Sequence, residues 1–182
     1  MIRALLFSIL LFQGAAPNAP KPVIDNERVS VFDVTTASAQ PLDAVVVSLN
    51  GNTSFVAKGT QPNLDGRSIM INLKDHAVAP IANNSGYPVA FPRPGIKKLL
   101  ENDRVIVWDY SWVPDVPTPM HFHDKDVVVL FLEDGDLKST EPDGKSTINA
   151  YTAGTVRFNG RSRTHQETLV RGKQRAIITE LK

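Results

Sequence analysis

Cysteine is absent from the 182 residues of this chain, and neither sign of charge is in clear excess. The lack of cysteine excludes disulfide bonds, thiolate metal sites and a cysteine nucleophile. With 20 basic and 19 acidic residues, the formal net charge is only +1. Proteins that bind nucleic acids usually carry a marked basic excess or a basic stripe, so we predict no nucleic-acid partner.

The apolar run near the N-terminus is too short to span a membrane, which takes about 20 helical residues. Residues 4–12 form this run, which follows Arg3 and precedes the small residues Gly14, Ala15 and Ala16. A charge, an apolar run and small residues in this order are typical of a secretory signal peptide. We expect residues 1–19 to hold a signal peptide and the start of a linker, with no membrane span and a periplasmic or secreted location. A buried N-terminal helix or strand is the alternative.

The sequence also lacks an apolar stripe of helical period that continues for more than two turns. Thirteen prolines and eleven glycines accompany short β-branched runs separated by turn residues, a pattern typical of β-sandwiches and barrels. The predicted strands are residues 29–34, 44–49, 53–57, 67–73, 104–112, 127–132, 136–140, 146–150, 155–159, 164–170 and 175–181, with 96–101 as a strand or one helical turn. We expect residues 15–25 to be a linker and residues 28–182 to be a single all-β domain.

Two of the four histidines, His121 and His123, stand two residues apart. Alternate residues of a strand point to the same side, so a strand here places both imidazoles on one face. His165 lies on a predicted strand about forty residues later, and such strands can be neighbours in a rolled-up sheet. We predict that these three histidines bind one metal ion, with a site that has lost its metal as the alternative. His76, beside a proline-rich loop, is expected at the surface.

Residues 104–181 resemble the cupin family. Its first motif is H-x-H, then a glutamate, then a glycine, and its second is a glycine before a strand that leads to a turn and a third histidine. The matching histidines and glycines are His121, His123 and Gly135 in the first motif, and Gly154, Gly160 and His165 in the second. The resemblance implies a single-domain jelly-roll β-barrel, with residues 28–100 as further strands of the same barrel. The reaction stays open, because the family includes oxygenases, isomerases, lyases and binding domains.

The chain departs from the family pattern at the glutamate. Counting back from the motif glycine places that ligand at Val128, with Val127 beside it, and neither is a carboxylate. Residues 124–126 (Asp-Lys-Asp) are interpreted as a charged, solvated turn. Glu167 shares a strand face with His165, so it is the candidate substitute as a ligand or catalytic base. An exposed carboxylate paired with an arginine is the alternative for Glu167.

Basic and aromatic residues flank the predicted metal ligands. Arg161 and Arg163 precede His165 in a turn, where two guanidinium groups could bind a carboxylate or phosphate. Two solvated turn residues are the alternative. Tyr110 and Trp112 share one face of a predicted strand and could cover a bound ligand, although packing in the core is the other role open to them.

Two functions follow from these features. The first is a metal-dependent enzyme, of oxygenase, isomerase or lyase type, that acts on a small anionic or sugar-like molecule. The second is a non-catalytic module that binds a small ligand beside a degenerate metal site. The expected cofactor is a divalent ion of Fe, Zn, Mn, Ni or Cu. A homodimer is a further expectation, because cupin barrels commonly pair through edge strands, and residues 29–34 are the candidate edge strand.

Overall fold

The computed structural model describes residues 20–76, 78 and 81–182, and in these residues it contains fourteen β-strands and no helix. The strands are β1 (Ile24–Asp25), β2 (Val29–Val34), β3 (Ala44–Ser48), β4 (Thr53–Val56), β5 (Ser68–Leu73), β6 (Lys97–Glu101), β7 (Val105–Trp112), β8 (His121–His123), β9 (Asp126–Phe131), β10 (Gly135–Thr140), β11 (Ser146–Tyr151), β12 (Val156–Asn159), β13 (Arg163–Gly172) and β14 (Gln174–Leu181). The predicted strands agree with these bounds to within two residues, and the all-β prediction is confirmed. The predicted signal peptide lies outside the described residues. Within them, no helix of the length and apolarity that a membrane crossing demands is found.

The strands form three sheets. The outer sheet has the order β1-β2-β5-β3-β4, the site sheet β11-β10-β13-β8, and the middle sheet β12-β9-β14-β7-β6. The strand pairs of all three sheets are antiparallel. Antiparallel neighbours need only short connections, which suits a chain rich in turn residues.

The middle and site sheets face each other and enclose the interior of a barrel. Alternate residues of the middle strands point into this interior, among them Trp108, Val129 and Ile178. They meet Leu137 and Leu169 from the site sheet in one buried apolar cluster. The predicted barrel is therefore present, and two sheets build it.

The remaining residues of the middle strands point the other way, towards the outer sheet. Val107, Val128 and Ile177 pack there against Val47 and Ile71 of the outer sheet. Because the middle sheet is covered on both faces, β9 is apolar at every position from residue 127 to residue 131. The outer sheet forms a third layer rather than extending the barrel, unlike the arrangement expected for its part of residues 28–100. The strand β6, at the end of that range, does belong to the middle sheet of the barrel. Period-two patterning indicates which face of a strand is buried but not which sheet covers it.

Three local expectations differ from the structure. Ile24 and Asp25, placed in a linker, pair with β2 as a short strand. Since β2 lies between β1 and β5, it is not the edge strand proposed for dimer formation. Asp126, assigned to a solvated turn, is buried at the start of β9, where Arg28 binds its carboxylate at 2.6 Å. The charge on Asp126 is tolerated in the interior because this arginine neutralises it.

Candidate metal centre and ligand cavity

The pairing of β8 with β13 brings the three histidines together. His121 and His123 alternate along β8 and share a face, while His165 on β13 lies directly opposite His121 in the antiparallel register. The Nε2 atom of His123 lies 3.2 Å from Nε2 of His121 and 3.2 Å from Nε2 of His165. All three side chains offer a ligand nitrogen within 4.8 Å of the others, so the convergence expected from the sequence is present.

Hydrogen bonds at the far side of the rings orient two of these imidazoles. Nδ1 of His121 lies 2.7 Å from the carbonyl oxygen of Pro119, which can only accept, so Nδ1 carries the hydrogen. The lone pair of His121 is then on Nε2, the atom that faces the cluster. Nδ1 of His165 lies 3.3 Å from the hydroxyl of Ser139. Partners of this kind fix the ring orientation of metal-binding histidines.

Burial and neighbouring positive charge keep the histidines neutral. Burial, with a smaller contribution from Arg93, lowers the pKa of His121 to about 4. Burial, followed by Arg163, lowers the pKa of His165 to about 4. The same two causes lower the pKa of His123 far below its ordinary value. At neutral pH the three imidazoles are therefore unprotonated, as metal binding requires.

The separation of the nitrogens fits a single metal ion. Metal–nitrogen bonds of about 2.0–2.1 Å hold ligand nitrogens about 3 Å apart at right angles and about 3.4 Å apart at the tetrahedral angle. The two separations of 3.2 Å lie between these limits. The cluster could thus hold one divalent ion of the imidazole-preferring kind, with positions left for a ligand.

Of the two valines near the expected position of the glutamate, Val127 and not Val128 faces the cavity. Val128 points away from the histidines into the core between the middle and outer sheets. Val127 and Val129 line the cavity together with His123 and His165. A carboxylate at position 128 would face away from a metal, whereas one at position 127 would face the cavity. Because a one-residue shift along a strand reverses the face, the residue count alone does not decide between the two valines.

Glu167 faces the cavity but lies outside the ligand group. It follows His165 by two residues on β13 and lines the same cavity. The group of side chains whose ligand atoms converge within 4.8 Å holds the three histidines without Glu167. Its carboxylate Oε2 lies 3.7 Å from an NH2 nitrogen of Arg93. The arginine partner named as the alternative is therefore present, although this pair is inside the cavity rather than exposed.

Arg93 is the site residue that the sequence analysis missed. Its guanidinium lies over the rings of Tyr110, Phe91 and Trp112 at 4.1, 5.1 and 5.7 Å from their centroids. Its NH1 nitrogen is 3.5 Å from Nε2 of His121. Burial lowers the pKa of Arg93, and the carboxylate of Glu167 opposes that shift. Arginine nevertheless remains charged in proteins, so a permanent positive charge lies beside the histidines.

The backbone of residues 88–90 explains how Arg93 reaches the site. The amide of Phe122 donates to the carbonyl of Pro88, and the amide of Ala90 donates to the carbonyl of Phe122, both at 2.8 Å. This segment adds to β8 beside the histidines and carries Arg93 into the barrel. Its sequence, Pro-Val-Ala-Phe-Pro-Arg-Pro-Gly, resembles a loop and has no strand periodicity. An arginine between two prolines was the only available signal.

Of the three substrate-binding residues predicted from the sequence, the structure brings one to the cavity. Arg163 lines it, with its Nε donating to the carbonyl of Gly160 at 2.6 Å. Arg161 lies elsewhere, near Arg28 and Lys182, and its backbone amide donates to Asp126. Tyr110 is buried beneath Arg93 in the barrel core, so it supports that arginine and does not face a ligand.

The cavity beside the histidines has a volume of about 150 Å³ and two unlike walls. The middle sheet contributes mainly apolar side chains, including Trp112, Phe131 and Ile178. The site sheet contributes His123, His165, Arg163 and Glu167, together with Ser139, Asn149 and Tyr151. His76 lies far from this arrangement in a surface pocket, where it contacts Glu27 at 3.3 Å, so its expected place at the surface is confirmed.

Comparison with solved structures identifies the fold. The sequence matches no protein-family model and no curated protein. A Cupin 2 conserved barrel domain protein from Leptotrichia buccalis aligns with 88% of this chain and 87% of its own length, at 14% identity and a TM-score of 0.51. A cupin domain from Bordetella pertussis Tohama I covers 50% of this chain and 97% of its own length, at 25% identity and a TM-score of 0.43. The polyketide cyclase RemF from Streptomyces resistomycificus covers 58% of this chain and 80% of its own length, at 21% identity and a TM-score of 0.40. This chain therefore has the cupin fold, as the sequence motifs predicted.

Proposed function

We propose that this cupin-fold protein binds one divalent metal ion through His121, His123 and His165 and acts on a small organic anion beside it. The observation that carries the proposal is the set of Nε2 atoms 3.2 Å apart, with the opposite nitrogen of His121 bound to a carbonyl. The candidate ions are Fe, Zn, Mn, Ni and Cu. Of these, neutral imidazole favours Fe, Zn, Ni and Cu.

The residues around the histidines have distinct roles in this proposal. A bound metal would supply Lewis-acid polarisation of a ligand oxygen. Arg93 and Arg163 orient the anion, because both guanidinium groups adjoin the histidines and carry permanent charge. Glu167 is placed to accept or return a proton, since its carboxylate faces the same cavity as His165. The apolar wall from the middle sheet excludes water on the opposite side.

Elemental analysis of protein purified without added metal tests the metal site. We expect about one metal ion per chain, lost in both His121→Ala and His165→Ala. The matched control is His76→Ala, which removes the surface histidine and should keep the metal. Metal-free protein, with a melting temperature unchanged by the two site substitutions, would contradict the proposal.

The second candidate is a non-catalytic module that binds a small ligand. The observation that favours it is Val127, an apolar residue that faces the cavity near the position where a carboxylate ligand is expected. A melting-temperature screen of small carboxylates and sugars, followed by mass spectrometry of the same samples, separates the two functions. Consumption of a stabilising compound supports the enzyme, whereas stabilisation without consumption supports the binding module.

Export and dimer formation are further parts of the proposal. The charge, apolar run and small residues within residues 1–16 support secretion to the periplasm or medium. Cell fractionation with intact-mass measurement would show a shortened chain outside the cytoplasm, and a full-length cytoplasmic chain would contradict export. Light scattering on the purified protein would measure whether it is a homodimer.

A further inference from the structure

We propose that the ligand of this cavity is a carboxylic acid with one apolar ring, its carboxylate beside His123, His165 and Arg93 and its ring on the wall of the middle sheet. The inference rests on the proposed function, because it assigns the substrate class of the same site. It narrows the anionic or sugar-like molecule expected from the sequence to one chemical class.

The first argument is the balance of charge in the cavity. Among the described residues that line it, Arg93, Arg157 and Arg163 are cationic and Glu167 is the one carboxylate. A divalent ion on the histidines would add to this positive excess. Unbalanced charge inside a protein is costly, so the cavity favours a ligand that brings negative charge with it.

The second argument is the geometry of Arg93. Three aromatic rings hold its guanidinium in place, and its side chain is only 5% exposed. One terminal nitrogen faces His121 at 3.5 Å, and the other faces Glu167 at 3.7 Å. Both separations are at or beyond the limit of a hydrogen bond. A planar fork that is fixed but weakly engaged is suited to bind a carboxylate with two hydrogen bonds.

The third argument is the shape and chemistry of the opposite wall. Trp112 and Phe131 of the middle sheet have ring centroids 6.3 Å apart, and Phe131 also stacks at 3.9 Å on Tyr151, which belongs to β11 of the site sheet. This surface matches an aromatic or other flat ring. The apolar side chains Val127, Val129 and Ile178 cannot replace the hydrogen bonds that hydroxyls make with water, and burial of hydroxyls without partners is unfavourable. Ser139, Asn149 and Asn159 also line the cavity and can bond the polar end of a ligand. The ligand is therefore amphipathic, with one polar end.

The volume indicates the size of the ligand part that the cavity encloses. At about 150 Å³, the cavity compares with an engineered protein cavity of similar volume that binds one benzene ring. Two fused rings or a long chain would extend beyond it. The cavity thus accommodates a single ring that carries a carboxylate.

Isothermal titration calorimetry with benzoate, benzamide and acetate tests the inference. The titrations use protein with its own metal and the same protein after chelation. We expect benzoate to bind the metal-containing protein at least about tenfold more tightly than benzamide, which lacks the charge, or acetate, which lacks the ring. Benzamide binding as tightly as benzoate would overturn the role of charge, and acetate binding as tightly would overturn the role of the ring.

Substitutions of the arginines locate the binding site. Arg93→Gln and Arg163→Gln should each weaken benzoate binding about tenfold or more, since each removes a charged hydrogen-bond donor. Arg93→Lys keeps the charge without the planar fork and should fall between wild type and Arg93→Gln. Arg161→Gln is the matched control because Arg161 lies outside the cavity. If Arg93→Gln does not fold, Arg163→Gln and Arg93→Lys still decide the question.

Metal content of the same samples separates the two proposals. Protein that holds its full metal and binds no benzoate contradicts this inference and leaves the proposed metal site standing. Protein without metal contradicts the proposed function. Benzoate binding that survives chelation and is lost in the arginine variants supports the inference independently of the metal.

Discussion

Glu180 is a buried carboxylate of β14 that does not line the cavity beside the histidines. Its side chain accepts a hydrogen bond from the indole of Trp108 at 2.7 Å, and the residue is 3% exposed. Burial raises the pKa of Glu180, and the hydrogen bond from Trp108 opposes the shift only in part. The folded state therefore binds this proton more readily than the unfolded state does. As the pH rises above the ordinary value of 4.5, the buried charge destabilises the fold.

We expect Glu180→Gln to stabilise the protein at neutral pH, because the amide keeps an acceptor oxygen for Trp108 and removes the charge. The free energy of unfolding should rise by about 1 kcal/mol at pH 7.5, and the difference should disappear towards pH 4.5 and below. Urea unfolding at both pH values measures it. Glu101→Gln is the control, since Lys98 and Lys182 bind that exposed carboxylate and its loss should not stabilise the fold. A gain at pH 4.5 equal to that at pH 7.5 would contradict the explanation.

Val127 and Val128 allow a test of which residue faces the histidines. Val127→Glu adds a carboxylate to the cavity wall, so we expect folded protein whose metal dissociation constant is at least about tenfold lower. Val128→Glu places the same charge between two sheets and should cost about 3 kcal/mol or more. Competition with a chelator and circular dichroism measure the two effects. Better tolerance of glutamate at position 128 than at position 127 would show that the assigned faces are wrong.

At the scale of single residues, the sequence predicted that the three histidines converge but not which residues surround them. His121 and His123 had to share a face of any strand, so their convergence required only that β13 be a neighbour. Arg93 reaches the site through a loop whose path depends on backbone hydrogen bonds to Phe122. The path of this loop cannot be predicted from the hydrophobic periodicity of the sequence. The two arginines beside His165 looked alike in the sequence, yet a turn separates Arg163 from Arg161.

Among the strands, the close approach of β10 to β13 depends on glycine. A Cβ atom at Gly135 would lie 2.5 Å from the carbonyl oxygen of Lys173, which is closer than backbone atoms allow. We expect Gly135→Ala to lower the free energy of unfolding by about 2 kcal/mol or more. Gly144→Ala, in the turn between β10 and β11, meets nothing within 4 Å and should cost only about 1 kcal/mol through its φ of +86°.

Chemical unfolding of the two alanine variants measures this difference. Equal losses in Gly135→Ala and Gly144→Ala would mean that the β10–β13 contact relaxes without strain. The result also bears on the family motif, because Gly135 was matched to it by spacing alone. In the structure its role is steric, as the partner of Gly172 across the two strands.

The strands themselves were predicted within two residues because short β-branched runs end at unmistakable turns, such as Asn50-Gly51 between β3 and β4. Sheet membership was not predictable in the same way. β2 and β5 carry the alternation of strands with a buried face, and that pattern fits a barrel wall as well as a covering layer. The short β1 pairs through only two residues and has too little sequence to be recognised.

At the scale of the whole molecule, the apolar core shared by the outer and middle sheets predicts cooperative unfolding of residues 28–182. Ile71 of the outer sheet is 1% exposed in that core. Ile71→Ala should lower the free energy of unfolding by about 2–5 kcal/mol. Both tryptophans, Trp108 and Trp112, lie on β7 of the barrel. Their fluorescence should nevertheless report the same shifted midpoint as circular dichroism.

Separate transitions would give a different picture. If circular dichroism showed an early loss of structure in Ile71→Ala while tryptophan fluorescence kept the wild-type midpoint, the outer sheet would be an independent unit. The barrel would then be stable without its third layer, and residues 28–182 would not behave as a single domain.

Because the middle sheet is covered on both faces, its strand β9 is apolar on both faces, and this matters before folding is complete. Residues 127–131 of the apolar run 127–132 are buried in the native protein, but in a nascent chain the run is open to pairing with other copies. Acidic and basic side chains bracket it, with Asp-Lys-Asp at 124–126 and Glu-Asp at 133–134. Such charges act as gatekeepers against intermolecular strand association. The same three residues that the sequence pattern assigns to a solvated turn would thus oppose aggregation of the chain during synthesis.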